Sequence, residues 1–358
     1  MKILHITYSM GYGGIETMLI NIVNEQIKEN HEIHVLTIND IVDTKLVKRL
    51  DPRVKFHCIK RKVKSKNILD ILKLNNYIRK YNPDIIHTHT STIIKYIFPP
   101  FRKKVCTTQH AMCRNTDAKY LAKSTHVFAI SNVVKESITT QINKHVDVVY
   151  NGIPINQIES KKHKEKPSTF NIVQVSRLFH DVKGQDIIIM AARHLKENGY
   201  TNFHIDFIGD GDSKEYLVQL VEKYQLSDLI SFLGSKSQEF IFKNLSQYDL
   251  AIQASRREGF GLTVAEAMSA RTPVLVSEHP SLLEVIDQGR YGYYFKNYDP
   301  INCAQRIEHI INNPKERLDI AEEGYQRVCQ LFNIETTAQK YIEYYNKIIE
   351  KTDASYKK

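Results

Sequence analysis

The sequence predicts an α/β fold with two doubly wound parallel sheets, and three observations support this prediction. The chain has 358 residues, a length that suits two domains of about 150 residues each. Short apolar runs alternate with segments of helical periodicity in both halves. Each half also has a glycine-rich loop between a strand and a helix. We expect two Rossmann-like domains facing a cleft, because such sheets bind ligands beyond the carboxyl ends of their strands.

The first half begins with a strand, a glycine-rich loop, a helix and a second strand. The apolar runs Lys2–Thr7 and His31–Ile38 form the strands, and the loop carries Gly13 and Gly14. Such a unit opens a doubly wound parallel sheet. The loop lacks the G-x-G-x-x-G spacing of a dinucleotide site, so a phosphate-binding loop and a simple tight turn are equally compatible with it.

Five further apolar runs predict the other strands of this half. They are Val54–Ile59, Pro83–Thr90, Val105–His110, His126–Ser131 and Val146–Tyr150. His87 and His89 share one face of their strand, where two imidazoles could bind a metal. No third ligand stands nearby in the sequence. We therefore expect no metal site, and we place both residues, like His110, near the carboxyl ends of strands.

The second half repeats the alternation of strands and helices. The predicted strands are 170–175, 203–208, 230–234, 249–253 and 273–277, with a short edge strand at 292–295. The predicted helices are 182–196, 213–224, 239–245, 262–268, 301–312, 314–330 and 335–349. We divide the chain into a first domain (1–156), a polar linker (157–169), a second domain (170–333) and a C-terminal helix (334–358) that packs back towards the first domain.

The composition argues against membrane-spanning and secreted classes. No run of 18 apolar residues occurs, so no transmembrane helix is expected. The N-terminal residues enter a strand pattern without a secretion signal. The five cysteines form no C-x-x-C pair, as is typical of reduced thiols in the cytosol. We expect a cytoplasmic protein.

The excess positive charge is confined to the first half. The net charge is +10, and residues 1–160 contain 24 Lys and Arg against 13 Asp and Glu. Basic runs occur at Lys60–Lys66 and, among aromatic residues, at Lys95–Lys104. Such runs are compatible with solvated loops and with docking on an anionic membrane surface. A nucleic-acid binder would need a recognisable binding module, which the sequence lacks.

The stretch Glu258–Glu266 predicts an anion site. It follows a predicted strand, contains two glycines and leads into a helix. Unpaired N–H groups at a helix N-terminus attract an anion. The carboxylates at both ends of the stretch suit the hydroxyl groups of a sugar-bearing ligand better than its phosphates. A helix-capping loop with two solvated glutamates is the alternative.

Basic residues occupy comparable positions in the same half. Arg177 ends the first strand, Lys183 precedes Gly184 at the next helix start, and Gly209 ends the next strand. Arg contacts phosphate oxygens through a planar fork and Lys acts as a point charge, so together they suit a diphosphate. Taken singly, a strand-end Arg is more often a solvated residue or part of a structural ion pair.

These motifs, in this order, resemble the retaining glycosyltransferases of family 4, which have the GT-B fold. The matching segments are 13–16, 84–89, 151–153, 176–184, 209–211 and 258–268, and they extend over nearly the whole chain. The resemblance implies a hexosyltransferase that moves a sugar from a nucleotide diphosphate sugar, most commonly a UDP-sugar, to an acceptor hydroxyl. The first domain would bind the acceptor and the second the donor.

The resemblance also implies the residues of the site. The implied catalytic residues are Arg177, Lys183, Glu258 and His110. The implied donor-binding residues are Gly13, Gly14, Gly209, Gly259, Phe260, Gly261, Leu262 and Glu266. Arg177 and Lys183 would stabilise the leaving diphosphate, and Glu266 would hold the ribose. Glu258 and the amides of the following loop would hold the sugar and a phosphate, and His110 would touch the sugar.

The implied chemistry needs no metal and no cofactor. No carboxylate is placed as a nucleophile, so the family's favoured route is front-face attack, in which the leaving phosphate takes the acceptor's proton. Catalysis then rests on positioning and on charge stabilisation. Asp210 and Asp212 belong to a glycine turn rather than to a D-x-D metal motif.

The expected acceptor is a lipid-linked glycan used in bacterial surface polysaccharide or glycolipid synthesis, at the inner face of the cytoplasmic membrane. The basic first domain motivates this expectation. Two alternatives remain open at this point: a soluble enzyme that makes a small glycoside, and a nucleotide-sugar epimerase. An epimerase would need acid–base groups against the sugar.

Overall fold

The chain forms two compact units. The computed structural model describes residues 1–11, 13–160 and 169–356, with side chains to residue 351, so residues 161–168 of the predicted linker lie outside the described part. One unit comprises Met1–Gly152 and Ile334–Lys358, and the other comprises Ile153–Asn333. Residues 153–156, which we placed in the first domain, fall in the second unit. The Ile153 N–H donates to the carbonyl oxygen of Phe332 in the same unit.

The first unit is built on a parallel sheet of seven strands. The strands are β1 (Lys2–Thr7), β2 (Glu32–Asn39), β3 (Lys55–Arg61), β4 (Ile85–Thr88), β5 (Val105–Gln109), β6 (His126–Ala129) and β7 (Val146–Val148). Their order is β3-β2-β1-β4-β5-β6-β7. The order reverses between β1 and β4, the point where doubly wound sheets bind ligands. Both strands are buried almost throughout, as central parallel strands are.

Six α-helices of this unit lie in the described part of the chain. They are α1 (Gly14–Gln26), α2 (Thr44–Val47), α3 (Ile68–Tyr81), α4 (Asn115–Leu121), α5 (Asn132–Thr139) and, from the far end of the chain, the helix Ile334–Tyr356. That last helix contacts α1. It buries Tyr341 and Tyr345, and the Tyr345 hydroxyl lies 2.5 Å from Nδ1 of His87. The C-terminal helix is therefore an integral part of the first unit.

The second unit contains a parallel sheet of six strands. The strands are β8 (Phe170–Val175), β9 (Phe203–Ile208), β10 (Ile230–Gly234), β11 (Leu250–Gln253), β12 (Val274–Ser277) and β13 (Tyr293–Phe295). Their order is β10-β9-β8-β11-β12-β13, so the reversal lies between β8 and β11. The prediction of two parallel-sheet, Rossmann-like domains is confirmed.

The helices of the second unit follow the predicted alternation, with additions. They are α6 (His180–Lys183), α7 (Gln185–Glu197), α8 (Lys214–Lys223), α9 (Gln238–Asn244), α10 (Leu262–Ser269), α11 (Pro280–Val285), α12 (Pro300–Asn312) and α13 (Pro314–Leu331). The last helix of the chain, Ile334–Tyr356 of the first unit, is α14. We did not predict α11, which has only six residues and too few turns to show periodicity. None of the helices in the described part of the chain combines the length and the apolar character that crossing a membrane requires.

Candidate active site

Arg177 and the loop that contains Glu258 follow neighbouring strands at the reversal point of the second sheet. Arg177 follows β8, and the loop that contains Glu258 follows β11, the neighbouring strand. The Arg177 side chain is exposed, and no ion pair involves it in the part of the chain that the structure describes. A guanidinium without a carboxylate partner is available to an anionic ligand.

Lys183 and Glu258 form an ion pair at this point. Lys183 Nζ lies 2.7 Å from Glu258 Oε2. Gly184 makes this approach possible: its φ of +66° is in the left-handed region, and a Cβ here would collide with the carbonyl oxygen of Ala254. The pairing of residues 75 positions apart in the chain supports the grouping of these two side chains that the motifs predicted.

Further polar residues hold the Glu258 loop in place. Ser255 Oγ lies 3.4 Å from Glu258 Oε2, and Gln253 Nε2 donates to Ser255 Oγ over 2.7 Å. Ser281 Oγ donates to the carbonyl oxygen of Glu258 over 3.1 Å. We did not identify these supporting residues from the sequence. The position of Ser255 two residues after a buried strand could have indicated its role, whereas the contact from Ser281 depends on the tertiary fold.

The helix α10 points an uncapped N-terminus at the end of this loop. Its N-cap residue, Gly261, has φ +103°, and no side chain caps the first turn. A Cβ at this position would lie 2.7 Å from Leu282 Cδ2. The Phe260 ring is buried and packs edge to face against Phe332, so Phe260 offers a ligand its backbone alone. The first turn of α10, from Leu262, supplies backbone N–H groups and the positive end of a helix dipole. The N–H of Gly259 already donates to Glu258 Oε1 over 3.1 Å.

Glu266 is a partly buried carboxyl group on α10. Burial raises the pKa of this carboxyl to about 8, and no hydrogen bond or charge from the described residues offsets that effect. The carboxyl is therefore largely protonated near neutral pH, unlike an ordinary surface glutamate. Withdrawing a carboxyl group from water without giving it a hydrogen-bond partner costs folding free energy. Glu266 is therefore available to hydrogen-bonding groups of a ligand.

Gly209 lies at the end of β9, the strand on the other side of β8. Its φ is +144°, and a Cβ here would collide with the carbonyl oxygen of Ser176. This glycine therefore lets the turn after β9 pass close to the backbone just before Arg177. Both segments end at the carboxyl edge of the sheet.

The predicted residues of the first unit lie at the corresponding edge of its own sheet. Gly13 is the N-cap of α1, in an extended conformation, and the helix begins at Gly14 without a side-chain cap. Ser9 Oγ donates to Glu16 Oε1 across this loop over 3.1 Å. Tyr12 lies outside the described residues. His110 follows β5 and is partly buried, and burial lowers its pKa to about 4.

The expectation that His87 and His89 have no third imidazole nearby is wrong. His5 of β1 joins them, and one ring nitrogen from each of the three lies within 4.8 Å of the others. All three side chains are buried. A histidine within the otherwise apolar first strand was the only indication of this contact in the sequence. The contact itself depends on β1 and β4 being neighbours in the sheet.

Each of these imidazoles is already hydrogen-bonded within the protein. His5 contacts His89 and Gln26, each over 3.0 Å. His87 contacts Thr108 over 2.7 Å as well as Tyr345. His89 also lies 3.4 Å from His110. The ring nitrogens are thus hydrogen-bonded to protein partners, and a metal ion could bind them only by replacing those hydrogen bonds.

Glycosyltransferases are among the proteins of similar sequence and structure. The O-antigen biosynthesis glycosyltransferase WclY of Escherichia coli is 25% identical over 97% of this chain and 99% of that protein. The N-acetyl-alpha-D-glucosaminyl L-malate synthase of Bacillus anthracis is 23% identical over 77% and 78%. The structure of Anabaena Alr3699/HepE in complex with UDP and glucose has a TM-score of 0.81, with 19% identity, 97% of this chain and 100% of that chain.

Two family models match consecutive parts of the chain. The model "Glycosyltransferase Family 4" matches residues 12–157, and the model "Glycosyl transferases group 1" matches residues 156–327. Their order agrees with the two sheets, and HepE shares the two-domain GT-B fold. The chain is a glycosyltransferase and belongs to the group 1 glycosyltransferases of family 4.

Proposed function

We propose that this enzyme transfers a sugar from a nucleotide diphosphate sugar, expected to be a UDP-sugar, to a hydroxyl group of a lipid-linked glycan, with retention of the anomeric configuration. The observation that carries the proposal is the Lys183–Glu258 ion pair, at the reversal point of the second sheet and beside the uncapped end of α10. The complex of HepE with UDP and glucose supports the choice of nucleotide.

The basic and the acidic residues of this site bind different parts of the donor. Arg177 and Lys183 stabilise the diphosphate as negative charge develops on it, and the loop before α10 adds backbone N–H groups. Glu258 forms hydrogen bonds with hydroxyl groups of the transferred sugar, and Glu266 forms them with hydroxyl groups of the ribose. Neither carboxyl acts as a nucleophile: Glu258 is held by Lys183, and Glu266 is largely protonated. This arrangement fits front-face attack.

The Lys183→Ala and Glu266→Ala variants test the donor site. Each is expected to lower the transfer rate by on the order of 10²–10³-fold, because each removes a positioned group from a site that acts through charge and orientation. The measurement is release of nucleotide and labelled product with a panel of nucleotide sugars. Lys243→Ala is the matched control, since it breaks an exposed Lys–Glu pair, Lys243–Glu239, in the same unit. Near-normal transfer by both site variants would refute the assignment.

The acceptor part of the proposal rests on an amphipathic surface of the first unit. The large apolar side chains at the start of α3 are exposed, with Ile68 at 68% and Leu69 at 62%. They follow the basic run Lys60–Lys66, from which only Asn67 separates them. Apolar side chains next to a basic run are typical of a surface that inserts shallowly into an anionic bilayer. We infer that this surface docks on the cytoplasmic membrane, where lipid-linked acceptors reside.

Sedimentation with vesicles tests this docking surface. We expect binding to phosphatidylglycerol-containing vesicles, weaker binding in high salt, and at least a tenfold loss in the Ile68→Ser/Leu69→Ser variant. Ile301→Ser is the matched control, because Ile301 is an exposed apolar residue of the second unit. Equal vesicle binding by all three proteins would remove the membrane from the proposal while leaving the donor site untouched.

A second candidate function is transfer to a small soluble acceptor. The similarity to N-acetyl-alpha-D-glucosaminyl L-malate synthase, which extends over 77% of this chain, favours it. The two candidates share the donor site and differ in the acceptor. Mass spectrometry of the products formed with lipid-linked glycans and with hydroxy acids, offered in parallel, separates them.

A further inference from the structure

A cavity of about 440 Å³ opens at the amino edge of the second sheet, where β8 and β9 begin. Its lining includes Phe170 and Phe203, the first residues of these strands, and Pro314, the first residue of α13. Arg177 of the donor site follows the other end of β8, and a strand of this length spans roughly 20 Å. This amino-edge cavity is therefore separate from the candidate active site, and its volume suits a small organic ligand.

A buried guanidinium without a carboxylate partner lines the amino-edge cavity. Arg317 is 9% exposed, and its guanidinium lies over the Phe170 ring, 5.0 Å from the ring centroid. Its Nη1 donates to the carbonyl oxygen of Ile310 over 3.4 Å, and no ion pair involves it within the described residues. Withdrawing a cation from water without a counter-ion costs folding free energy. An anion bound in the cavity would therefore stabilise Arg317.

The helix α13 adds partial positive charge at the same place. It has 18 residues and begins at Pro314, and no side chain caps its first turn. The amide of Asn313, at the N-cap position, instead donates to the carbonyl oxygen of His309 over 2.8 Å. The N-terminus of such a helix carries about half a positive charge, so together with Arg317 the site offers about +1.5. A phosphate monoester, with a charge of about −1.5 to −2 at pH 7, matches this charge better than a single carboxylate.

The carboxylates near the amino-edge cavity have other partners. Glu308 Oε1 accepts a hydrogen bond from the Tyr200 hydroxyl over 2.7 Å. Asp249 Oδ2 accepts one from a backbone N–H of β8 over 3.0 Å. Burial lowers the pKa of Arg317, and the charge of Asp249 opposes this effect without forming an ion pair. The guanidinium thus stays charged and is available to a ligand.

We propose that the amino-edge cavity binds a sugar phosphate, with the phosphate group on Arg317 and the N-terminus of α13. The loop before β9 lines the remaining space with Tyr200, Thr201 and Asn202. An aromatic ring beside hydroxyl and amide groups suits the ring and the hydroxyl groups of a sugar. This inference does not depend on the proposed function, because the cavity and the donor site lie at opposite edges of the sheet.

Isothermal titration calorimetry of the full-length protein with glucose 6-phosphate tests this inference. We expect one equivalent to bind with a Kd of about 1 mM or below, inorganic phosphate to bind at least tenfold more weakly, and glucose to give no measurable binding. Absence of binding by glucose 6-phosphate overturns the proposal. Inorganic phosphate that binds equally well would show that the sugar makes no contact, which overturns the assignment of a sugar phosphate.

Two variants locate the bound phosphate. Arg317→Gln removes the charge and should weaken glucose 6-phosphate binding at least tenfold. Asn202→Asp places a carboxylate at an exposed position of the lining, where it should weaken binding several-fold by repulsion without disturbing the core. Asn244→Asp of α9 is the matched control, because this asparagine lies outside the cavity lining. Unchanged binding by Asn202→Asp and by folded Arg317→Gln protein overturns the proposal.

Lys183→Ala separates the amino-edge cavity from the donor site. We expect this variant to bind glucose 6-phosphate as the wild type does. If Lys183→Ala abolishes binding while Arg317→Gln and Asn202→Asp retain it, glucose 6-phosphate occupies the donor site and the inference is wrong. If no nucleotide sugar supports transfer while Arg317→Gln weakens binding, the proposed function is wrong and the amino-edge cavity stands.

Discussion

The contact between Lys183 and Glu258 makes a specific prediction about product binding. Before a ligand arrives, the carboxylate neutralises the ammonium group 2.7 Å away, and it also repels a nucleotide diphosphate. Glu258→Gln should therefore bind UDP about three- to tenfold more tightly, a change of roughly 0.7–1.4 kcal/mol, and should transfer sugar more slowly. Isothermal titration calorimetry measures the affinity, with Glu239→Gln as the control for an exposed pair. Weaker UDP binding by Glu258→Gln would contradict this account.

Glu266 should make the protein's stability depend on pH. Burial raises its pKa to about 8, whereas in the unfolded chain it has the ordinary value of about 4.3. The folded state therefore holds its proton more tightly, so stability from this group is complete below about pH 4 and is lost as the pH rises towards 8. Between pH 4 and pH 8, the free energy of unfolding falls by at most about 1.4 kcal/mol per pH unit because of this group.

The Glu266→Gln variant removes this dependence. It should be more stable than the wild type at pH 8 to 9 and closer to it at pH 5, as measured by urea denaturation followed by circular dichroism at several pH values. The same difference in stability at both pH values would show that Glu266 is not responsible.

At the residue scale, the sequence indicated the proximity of Lys183 and Glu258 better than it indicated the residues around them. Lys183 and Glu258 lie in motifs with strong local signals, next to glycines and strand ends, and the structure brings them into contact. The hydrogen bonds of Gln26 and His5 were not predicted, because they join segments that are distant in the sequence. Periodicity indicates which positions are buried, but it does not indicate which buried polar groups pair with each other.

The junction between α6 and α7 depends on a close contact with the end of β11. Gly184→Ala should destabilise the second unit by about 1–3 kcal/mol, because its φ is +66° and the added methyl collides with the Ala254 carbonyl. It should also lower the transfer rate by displacing Lys183. Gly199→Ala is the matched control, since it has φ +85° but nothing within 4 Å of the added Cβ. Chemical denaturation compares the two, and equal destabilisation would show that strain in φ, not the contact, dominates.

Among the elements, strands were easier to predict than short helices. The strands of both sheets are runs of four to eight residues bounded by turns, apart from the three-residue strands β7 and β13. The central strands are buried and apolar, which is a strong local signal, whereas the edge strands β3 and β10 are only partly buried. The helices α2, α4 and α11 span four to seven residues, which is two turns or fewer, so no periodicity develops. Tertiary contacts, rather than intrinsic propensity, stabilise helices of this length.

At the scale of the whole molecule, the first unit should depend on the last helix of the chain. A protein that ends at Asn333 loses the buried rings of Tyr341 and Tyr345 and the partner of His87. We expect limited proteolysis to cut within residues 1–152 of this protein while the second unit remains protected. A protein that ends at Lys351 is the control. Equal protection of the first unit in both proteins would show that α14 is dispensable.

The division of the first unit between the two ends of the chain has a consequence for the order of folding during synthesis. The second unit is one continuous segment, Ile153–Asn333, so it can fold as soon as it leaves the ribosome. The first unit cannot finish until α14 is made. At about 5–20 residues per second, the nascent first unit waits roughly 10–40 s with the contact surface of α1 uncovered. The domain translated first is therefore the domain completed last.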